Sequence, residues 1–317
     1  MRVLITGASG YLGQTVVHRL VEDGVAVTAL EHRTRRQWPS AVHVRAGDLL
    51  LAADLPEAVR DIDAVCHLAA DATVRQTSAR AAELQRQVIT GGTGHLLAAM
   101  GAEAERRGAP MALLNLSSSA VYGWGVDRPL RTTDAASPRS PYGAAKLAAE
   151  GIIDRAAATG RIGAISLRLF NAVGRTPYGA MPSPATLIPR AVAAVSGRSP
   201  VLTVNGDGNA LRDFVHVSDV ANAVAAALVR TSPGTHHLHN VGATPASVTE
   251  VLDEVGRVVG RPVPVWHGPA DEMDSPHLVA DTADTRAALG WDPVSSGLPR
   301  IVAEQFEAFY GEYKSRS

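Results

Sequence analysis

The chain has 317 residues and a mass of 33.1 kDa, with 46% apolar and 19% charged residues. That size and mixture suit one large α/β domain or two closely joined units, and they exclude an intrinsically disordered chain. Lys and Arg number 30 against 31 Asp and Glu, a net charge of −1 that gives no basic field for nucleic acid and no polybasic patch for a membrane, and 1 Cys excludes an internal disulfide framework and a Cys-cluster zinc site.

In chain order, the first predicted element is an apolar strand at Val3–Ile5, right after Met-Arg. It lacks the longer apolar core and small-residue cleavage site of a signal peptide. The longest alanine-rich stretch, Ala221–Val229, contains Asn222 and is far shorter than a membrane span. A soluble cytoplasmic protein is expected. The spacing then predicts a helix over Gly10–Asp23, where Leu12, Val16, Val17 and Leu20 share one face. Val25–Leu30, Val42–Arg45, Ala64–Leu68, Met111–Leu116 and Ile165–Leu169 read as buried strands. Between them Ala81–Glu105 and Tyr142–Ala158 read as long helices. Near-continuous apolar strands alternating with helices imply a doubly wound parallel sheet of the Rossmann type. Residues 1–170 would form the dinucleotide-binding domain. After Asn171, Pro177, Pro182, Pro184 and Pro189 change the texture, and 171–317 reads mainly as a smaller, loop-rich substrate-binding domain ending in a helix at Leu298–Tyr310. Within it 217–240, with a helix at Val220–Val229 and a strand at His236–Asn240, is expected to return to the main sheet.

Between the first strand and helix stands Thr6-Gly7-Ala8-Ser9-Gly10-Tyr11-Leu12-Gly13. Gly7, Gly10 and Gly13 permit a tight turn, close backbone approach to a pyrophosphate, and tight helix–strand packing, with the phosphates at the positive end of the helix. Glycines alone merely punctuate loops; here they fall on the first strand–helix turn of a βαβ pattern. Glu31 closes the second strand, where a carboxylate accepts hydrogen bonds from a free ribose 2′-hydroxyl and repels a 2′-phosphate, so NAD is favoured. Arg33, Arg35 and Arg36 follow it; they form either a solvated loop or a phosphate clamp, which keeps NADP as the second option.

Strand five runs into Ser117-Ser118-Ser119-Ala120, and Pro141-Tyr142-Gly143-Ala144-Ala145-Lys146 opens the next helix. Tyr142 and Lys146, four residues apart, project from one face. An ammonium beside a phenol favours phenolate, so the pair is expected to serve as a general base toward a sugar or alcohol hydroxyl, with a strand-end hydroxyl sharing the proton.

With these features the chain resembles the extended short-chain dehydrogenase/reductase family, especially the UDP-galactose 4-epimerases and related NAD-dependent epimerases and dehydratases. Gly47-Asp48-Leu49, Asp63-Ala64-Val65-Cys66-His67-Leu68-Ala69-Ala70, Leu167-Arg168-Leu169-Phe170-Asn171, Arg212-Asp213-Phe214-Val215-His216-Val217 and Leu289-Gly290-Trp291 extend the likeness over nearly the whole chain. The resemblance implies that Tyr11 and Leu12 join the glycines at the cofactor, that Asp48 and Leu49 flank the adenine, and that Ala69 and Ala70 line the cofactor. It makes Ser118 the catalytic Ser/Thr, and it sets Asn171, Arg212 and Asp274 near the sugar-nucleotide diphosphate and Leu187 near the base. The dehydratases and decarboxylases of the family carry acids just after that Ser/Thr, where this chain has Ser119 and Ala120. Epimerisation or keto/alcohol interconversion remains, with a cofactor-sensing regulatory protein as a third option.

The chain departs from the pattern twice. Ile89 stands where the family usually has Asn, and Asp271 where it has the Arg of Arg-x-Gly-Asp, so Arg175 or Arg190 would have to replace that charge. His236, His237 and His239 lack a nearby carboxylate to complete a metal set. Cys66 reads as a buried small hydrophobe. The resemblance also implies a homodimer through the helices at Ala81–Glu105 and Tyr142–Ala158, whose Leu84, Val88, Leu96, Ile152 and Ile153 leave the question open.

Overall fold

The structure, a computed structural model, describes residues 1–73, 78–271 and 274–314, with side chains described through residue 309. Glu272 and Met273, in the middle of the run Asp271–Asp274, lie outside the described residues.

Strand β1 (Arg2–Thr6) leads into helix α1 (Tyr11–Glu22), followed by β2 (Ala26–Glu31), β3 (Val42–Ala46), α2 (Leu55–Val59) and β4 (Ala64–His67). Then come α3 (Ala79–Arg86), α4 (Gly92–Arg107), β5 (Met111–Ser118), α5 (Pro141–Ala157) and β6 (Ile162–Leu169). The remainder holds β7 (Asn171–Val173), α6 (Leu187–Val195), β8 (Leu202–Asn205), β9 (Leu211–His216), α7 (Val217–Leu228) and β10 (His236–Val241). It continues with β11 (Thr244–Ser247), α8 (Val248–Val259), β12 (Val265–Gly268), β13 (His277–Leu278), α9 (Ala283–Leu289) and α10 (Leu298–Lys314).

Seven parallel strands form one sheet in the order β3-β2-β1-β4-β5-β6-β10. The order reverses between β1 and β4, and ligand crevices in doubly wound sheets open at such a switch point. One face is covered by α1 and α7, where Val16, Val17 and Leu20 meet Val220, Val224 and Ala227. The other is covered by α2, α4 and α5 through Leu55, Leu96, Met100 and Ile153. Both faces of the sheet being covered explains why β4 and β6 are buried at every position without alternation. The expected return to the sheet is β10, paired with β6.

Two small sheets, β11-β9-β13 with β7 beside β9, and β12-β8, occupy the irregular part of the chain. A separate core holds them to α6, α8 and α10, with Val192, Val195, Val251, Val255 and Ile301 at its centre.

The predicted helix over Ala81–Glu105 is present, running from Ala79 to Arg107, but not as uniform α-helix. A π turn at Gln87–Gly91 separates α3 from α4, and the Thr93 hydroxyl bonds the Ile89 carbonyl there. The wider turn aims Ile89 into a cluster with Tyr142, Ala145 and Ala149; such bulges recur at functional sites. Of the five apolar residues raised for a subunit interface, Leu96 and Ile153 are core residues, Ile152 packs against the same core, and Leu84 is half exposed.

Candidate active site

Gly7 takes φ +70°, and a Cβ there would stand 2.7 Å from the Ala69 amide nitrogen. At Gly13 a Cβ would lie 2.1 Å from the Gly7 carbonyl oxygen, so only glycine lets α1 rise this close to β1. No side chain caps α1 at Gly10, which leaves the first-turn amides for a ligand. This backbone cradle at a positive helix end fits a dinucleotide pyrophosphate. Tyr11 in the same loop donates its hydroxyl to the Gly174 carbonyl at 2.6 Å, and burial together with Glu304 holds its pKa far above the ordinary range. Leu12 packs against the core shared by α1 and the sheet.

Glu31 is buried at the end of β2, and its Oε1 accepts from the Trp38 indole at 2.8 Å and the Arg36 amide at 3.0 Å. The loop after β2 therefore folds back on the carboxylate, a contact the spacing of Arg33–Arg36 did not reveal. Asp48 accepts from the Leu50 amide at 2.9 Å and lies 3.2 Å from His32. Leu49 is buried, and its carbonyl contacts His95 Nδ1 at 2.9 Å. Ala69 donates its amide to Thr6 Oγ1, and Ala70 packs with Ile89 and Tyr142. Behind them His67 joins Thr6 Oγ1 at 2.7 Å and Thr93 Oγ1 at 3.0 Å. Burial and the Lys146 charge press the His67 pKa down to about 3, so this imidazole is a neutral clasp between β1, β4 and α4.

Tyr142 and Lys146, the residues expected to handle the proton, are set by α5. Ser140 caps the helix by accepting the Gly143 amide at 3.1 Å, with Pro141 at the first position. A Cβ on Gly143 would lie 2.3 Å from the Ala120 carbonyl oxygen, so this glycine lets the first turn of α5 press against the 3₁₀ turn Ser119–Val121. That approach brings the Tyr142 phenol close enough to Ser118 for the serine hydroxyl to act on it, while Ser118 Oγ itself accepts the Ala120 amide at 3.2 Å.

The electrostatics correct one sequence expectation. The Tyr142 phenol is not lowered: burial pushes it up to about 12, the nearby Ser118 hydroxyl pulls it down only in part, and Asp71 pushes it up further. Lys146 is buried as well and comes down to about 8, because burial outweighs the pull of Glu150. Its Nζ donates to the Leu116 carbonyl at 2.7 Å and stands 5.9 Å from the Tyr142 ring centroid. The ammonium is anchored on the strand and lies beside the ring.

The expected nucleotide-binding residues gather elsewhere. β7 and β9 pair in parallel with Asn171 opposite Phe214, and Asn171 Nδ2 donates to the Asp213 carbonyl at 2.9 Å. Arg212 donates to the Ser275 carbonyl at 2.7 Å and lies 4.0 Å from Asp274, which accepts from Asn205 Nδ2 at 3.1 Å. Leu187 opens α6 and packs on its core. Arg175 and Arg190, the expected substitutes for the missing family Arg, use the Arg175 amide on Glu304 and the Arg190 guanidinium on the Thr203 carbonyl.

Sequence reasoning missed Glu150, Arg168 and Ser117, a buried polar cluster behind Lys146. The signal was present: Glu150 follows Lys146 by four residues on the same helical face. Cys66 is buried, and burial pushes its thiol up to about 12. His236 contacts Ser166 Oγ at 2.8 Å, and burial lowers the pKa of both His236 and His239. Among the described residues no helix is long and apolar enough to cross a membrane.

A doubly wound sheet with a glycine cradle at its switch point, and with Ser118, Tyr142 and an anchored Lys146 beside it, defines a dinucleotide-binding fold. A family model described as the NAD dependent epimerase/dehydratase family matches residues 3–242, and the chain belongs to that family. It is 34% identical over 318 residues to a UDP-glucose 4-epimerase of Azospirillum brasilense, covering 95% of this chain and 90% of that protein. Its fold is similar to the UDP-glucose 4-epimerase from Brucella ovis in complex with NAD, with a TM-score of 0.85, 32% identity and 97% and 98% of the two chains covered. It is also similar to MoeE5 in complex with UDP-glucose and NAD, with a TM-score of 0.84, 31% identity and 99% and 100% covered.

Proposed function

We propose that this protein is an NAD-dependent nucleotide-sugar 4-epimerase, which oxidises the sugar transiently at C4 to a 4-keto sugar and restores the alcohol with either configuration. The observation that carries the reading is Tyr142 on the first turn of α5 beside the Ser118 strand end, with Lys146 one turn on and 5.9 Å from its ring centroid, in a chain whose strand end continues with Ser119 and Ala120. Without a carboxylate at those two positions, water elimination and decarboxylation lack their acid there.

Gly7, Gly10 and Gly13, with the uncapped end of α1, would hold the pyrophosphate of NAD. Glu31 would take the adenosine ribose, Asp48 and Leu49 the adenine, and Ala69 and Ala70 the inner half. When bound, NAD supplies an acceptor for the C4 hydride that can also give it back. The chain's own residues handle the proton. Tyr142 Oη takes it from the C4 hydroxyl and later returns it, and Ser118, beside the phenol, shares it. A phenol held at about 12 must shed its proton first; Ser118 pulls it down, and the Lys146 ammonium beside the ring favours the phenolate. Rates are therefore expected to rise with pH through neutrality and to level off above about pH 8, where loss of the Lys146 charge offsets the gain in phenolate. Asn171, Arg212, Asp274 and Leu187 would hold the nucleotide and leave the sugar free to turn over.

Asp271 in place of the expected Arg favours a second reading, a reductase or dehydrogenase of a keto- or hydroxy-sugar that exchanges NAD(P)H at each turnover. Purified protein separates the two. An epimerase retains NAD(H) and interconverts the C4 epimers of a UDP-, dTDP- or GDP-sugar with none added; activity strictly dependent on added cofactor would overturn the epimerase reading. Tyr142→Phe should lower turnover by about 10²- to 10⁴-fold with cofactor content unchanged, whereas a cofactor sensor would lose nothing.

A further inference from the structure

Tyr142, Lys146 and Glu150 occupy successive turns on one face of α5. Glu150 takes no part in the proton transfer, yet its side chain is only 5% exposed. Its Oε1 accepts from Ser117 Oγ at 2.6 Å and from Arg168 Nε at 3.0 Å, and its Oε2 accepts from Arg168 Nη2 at 2.7 Å. Ser117 and Arg168 stand opposite each other where β5 pairs with β6. The residue before Ser117 is Leu116, whose carbonyl receives the Lys146 ammonium. The carboxylate thus grips the strand segment on which the lysine rests. A buried ion pair adds little net stability over well-packed apolar side chains, so its place one turn from the ammonium points to a role in the chemistry.

We propose that Glu150 is a positioning residue for Lys146: it fixes the β5 segment that carries the ammonium and sets a negative charge beside it, an inference that rests on the Tyr142–Lys146 assignment above. The groups around the ammonium leave this task to Glu150. His67 on β4 is neutral, pressed down to about 3 by burial and by Lys146 itself. The Tyr142 phenol is neutral at rest, Asp71 acts on that phenol, and Arg168 is paired with Glu150. Burial alone would draw the lysine further down, and Glu150 is the group that pushes it back up.

Glu150→Gln tests this, because it keeps the shape and an acceptor for Ser117 while removing the charge. It leaves Arg168 buried without a counter-charge, so the double variant Glu150→Gln/Arg168→Met, which has neither charge, is measured beside it. The expected result in both is retained NAD(H), turnover above pH 8 lowered about tenfold, and the break in the kcat profile near pH 8 moved about one pH unit toward acid. Lowered turnover with an unmoved break would show a merely structural residue and overturn the proposal. Tyr142→Phe keeps the two readings apart: wild-type turnover in that variant overturns the base assignment itself. Lost turnover there, with an unmoved break in the Glu150 variants, overturns only the positioning role.

Discussion

The glycine turn between β1 and α1 and the corner around Arg212 are both expected to meet phosphate oxygens, and they are built in opposite ways. The turn presents backbone: Gly7 and Gly13 stand where a side chain would strike Ala69 or the Gly7 carbonyl, and the helix end above them carries no cap. The corner presents side chains brought from β9, from the segment before β13, from β8 and from β7, joined by Arg212–Ser275, Arg212–Asp274 and Asn205–Asp274 contacts. Donors fixed in a backbone need no further ordering to bind, whereas side-chain donors must be held in place or exchanged when the ligand arrives. A rigid cradle suits a cofactor kept through many turnovers, and a rearrangeable corner suits a substrate that enters and leaves.

Adding one methyl at Gly13 should break this contrast with the largest effect. The new Cβ would overlap the Gly7 and Ala8 carbonyls. Gly13→Ala is expected to lower stability by about 1–3 kcal/mol and bound NAD(H) by about tenfold or more, read by thermal melting and by the absorbance of released dinucleotide. Full cofactor content in this variant would show that the turn is not the phosphate seat.

Arg212→Met addresses the other side. Loss of charge-assisted hydrogen bonds should raise KM for the nucleotide sugar about ten- to hundredfold, with cofactor content unchanged and kcat little altered. A fall in bound NAD(H) instead would erase the division of labour between the two regions.

The smallest effect is expected at the seam joining them. Glu304 on α10 accepts from His216 Nε2 at 2.8 Å, from the Arg175 amide at 3.2 Å and from Arg300 at 2.9 Å. His216 accepts the Ser218 amide on Nδ1, which leaves its ring hydrogen on Nε2 to donate. Burial pushes the carboxyl up, but these donors together hold it down at about 2 against an ordinary 4.5. A carboxyl lowered by folding adds stability above its unfolded pKa and loses it as pH falls through the folded one. Glu304→Gln should therefore cost about 1–2 kcal/mol at pH 7. Its difference from the wild type should shrink between pH 4.5 and 2, as measured by urea unfolding across that range. A constant difference over that span would mean that the carboxylate charge contributes nothing to the seam.

Much of the candidate site could be proposed from the sequence because its signals are local. The glycines at 7, 10 and 13, Glu31 closing β2, and Tyr142 and Lys146 one turn apart each follow from a few neighbouring residues and the period of the element that carries them. The π turn at Gln87–Gly91 was not legible, because α-helical periodicity continues through it and the extra residue is placed by packing against α5. Trp38 closing on Glu31 was hidden for a similar reason: the loop's arginines advertise charge, while the contact is made by an indole seven residues away. Arg212 with Asp274, 62 residues on, meets only because β9 and β13 pair.

From the sequence alone came the parallel sheet, the glycine turn and the residues proposed for proton transfer, since strand burial, glycine conformation and helical spacing are short-range properties. The protonation of those residues was decided by tertiary structure. An ammonium one helical turn from a phenol favours phenolate in water, but here both groups are buried, and desolvation lifts one toward 12 and drops the other toward 8. Desolvation depends on everything packed around a group, and no run of neighbouring residues encodes that.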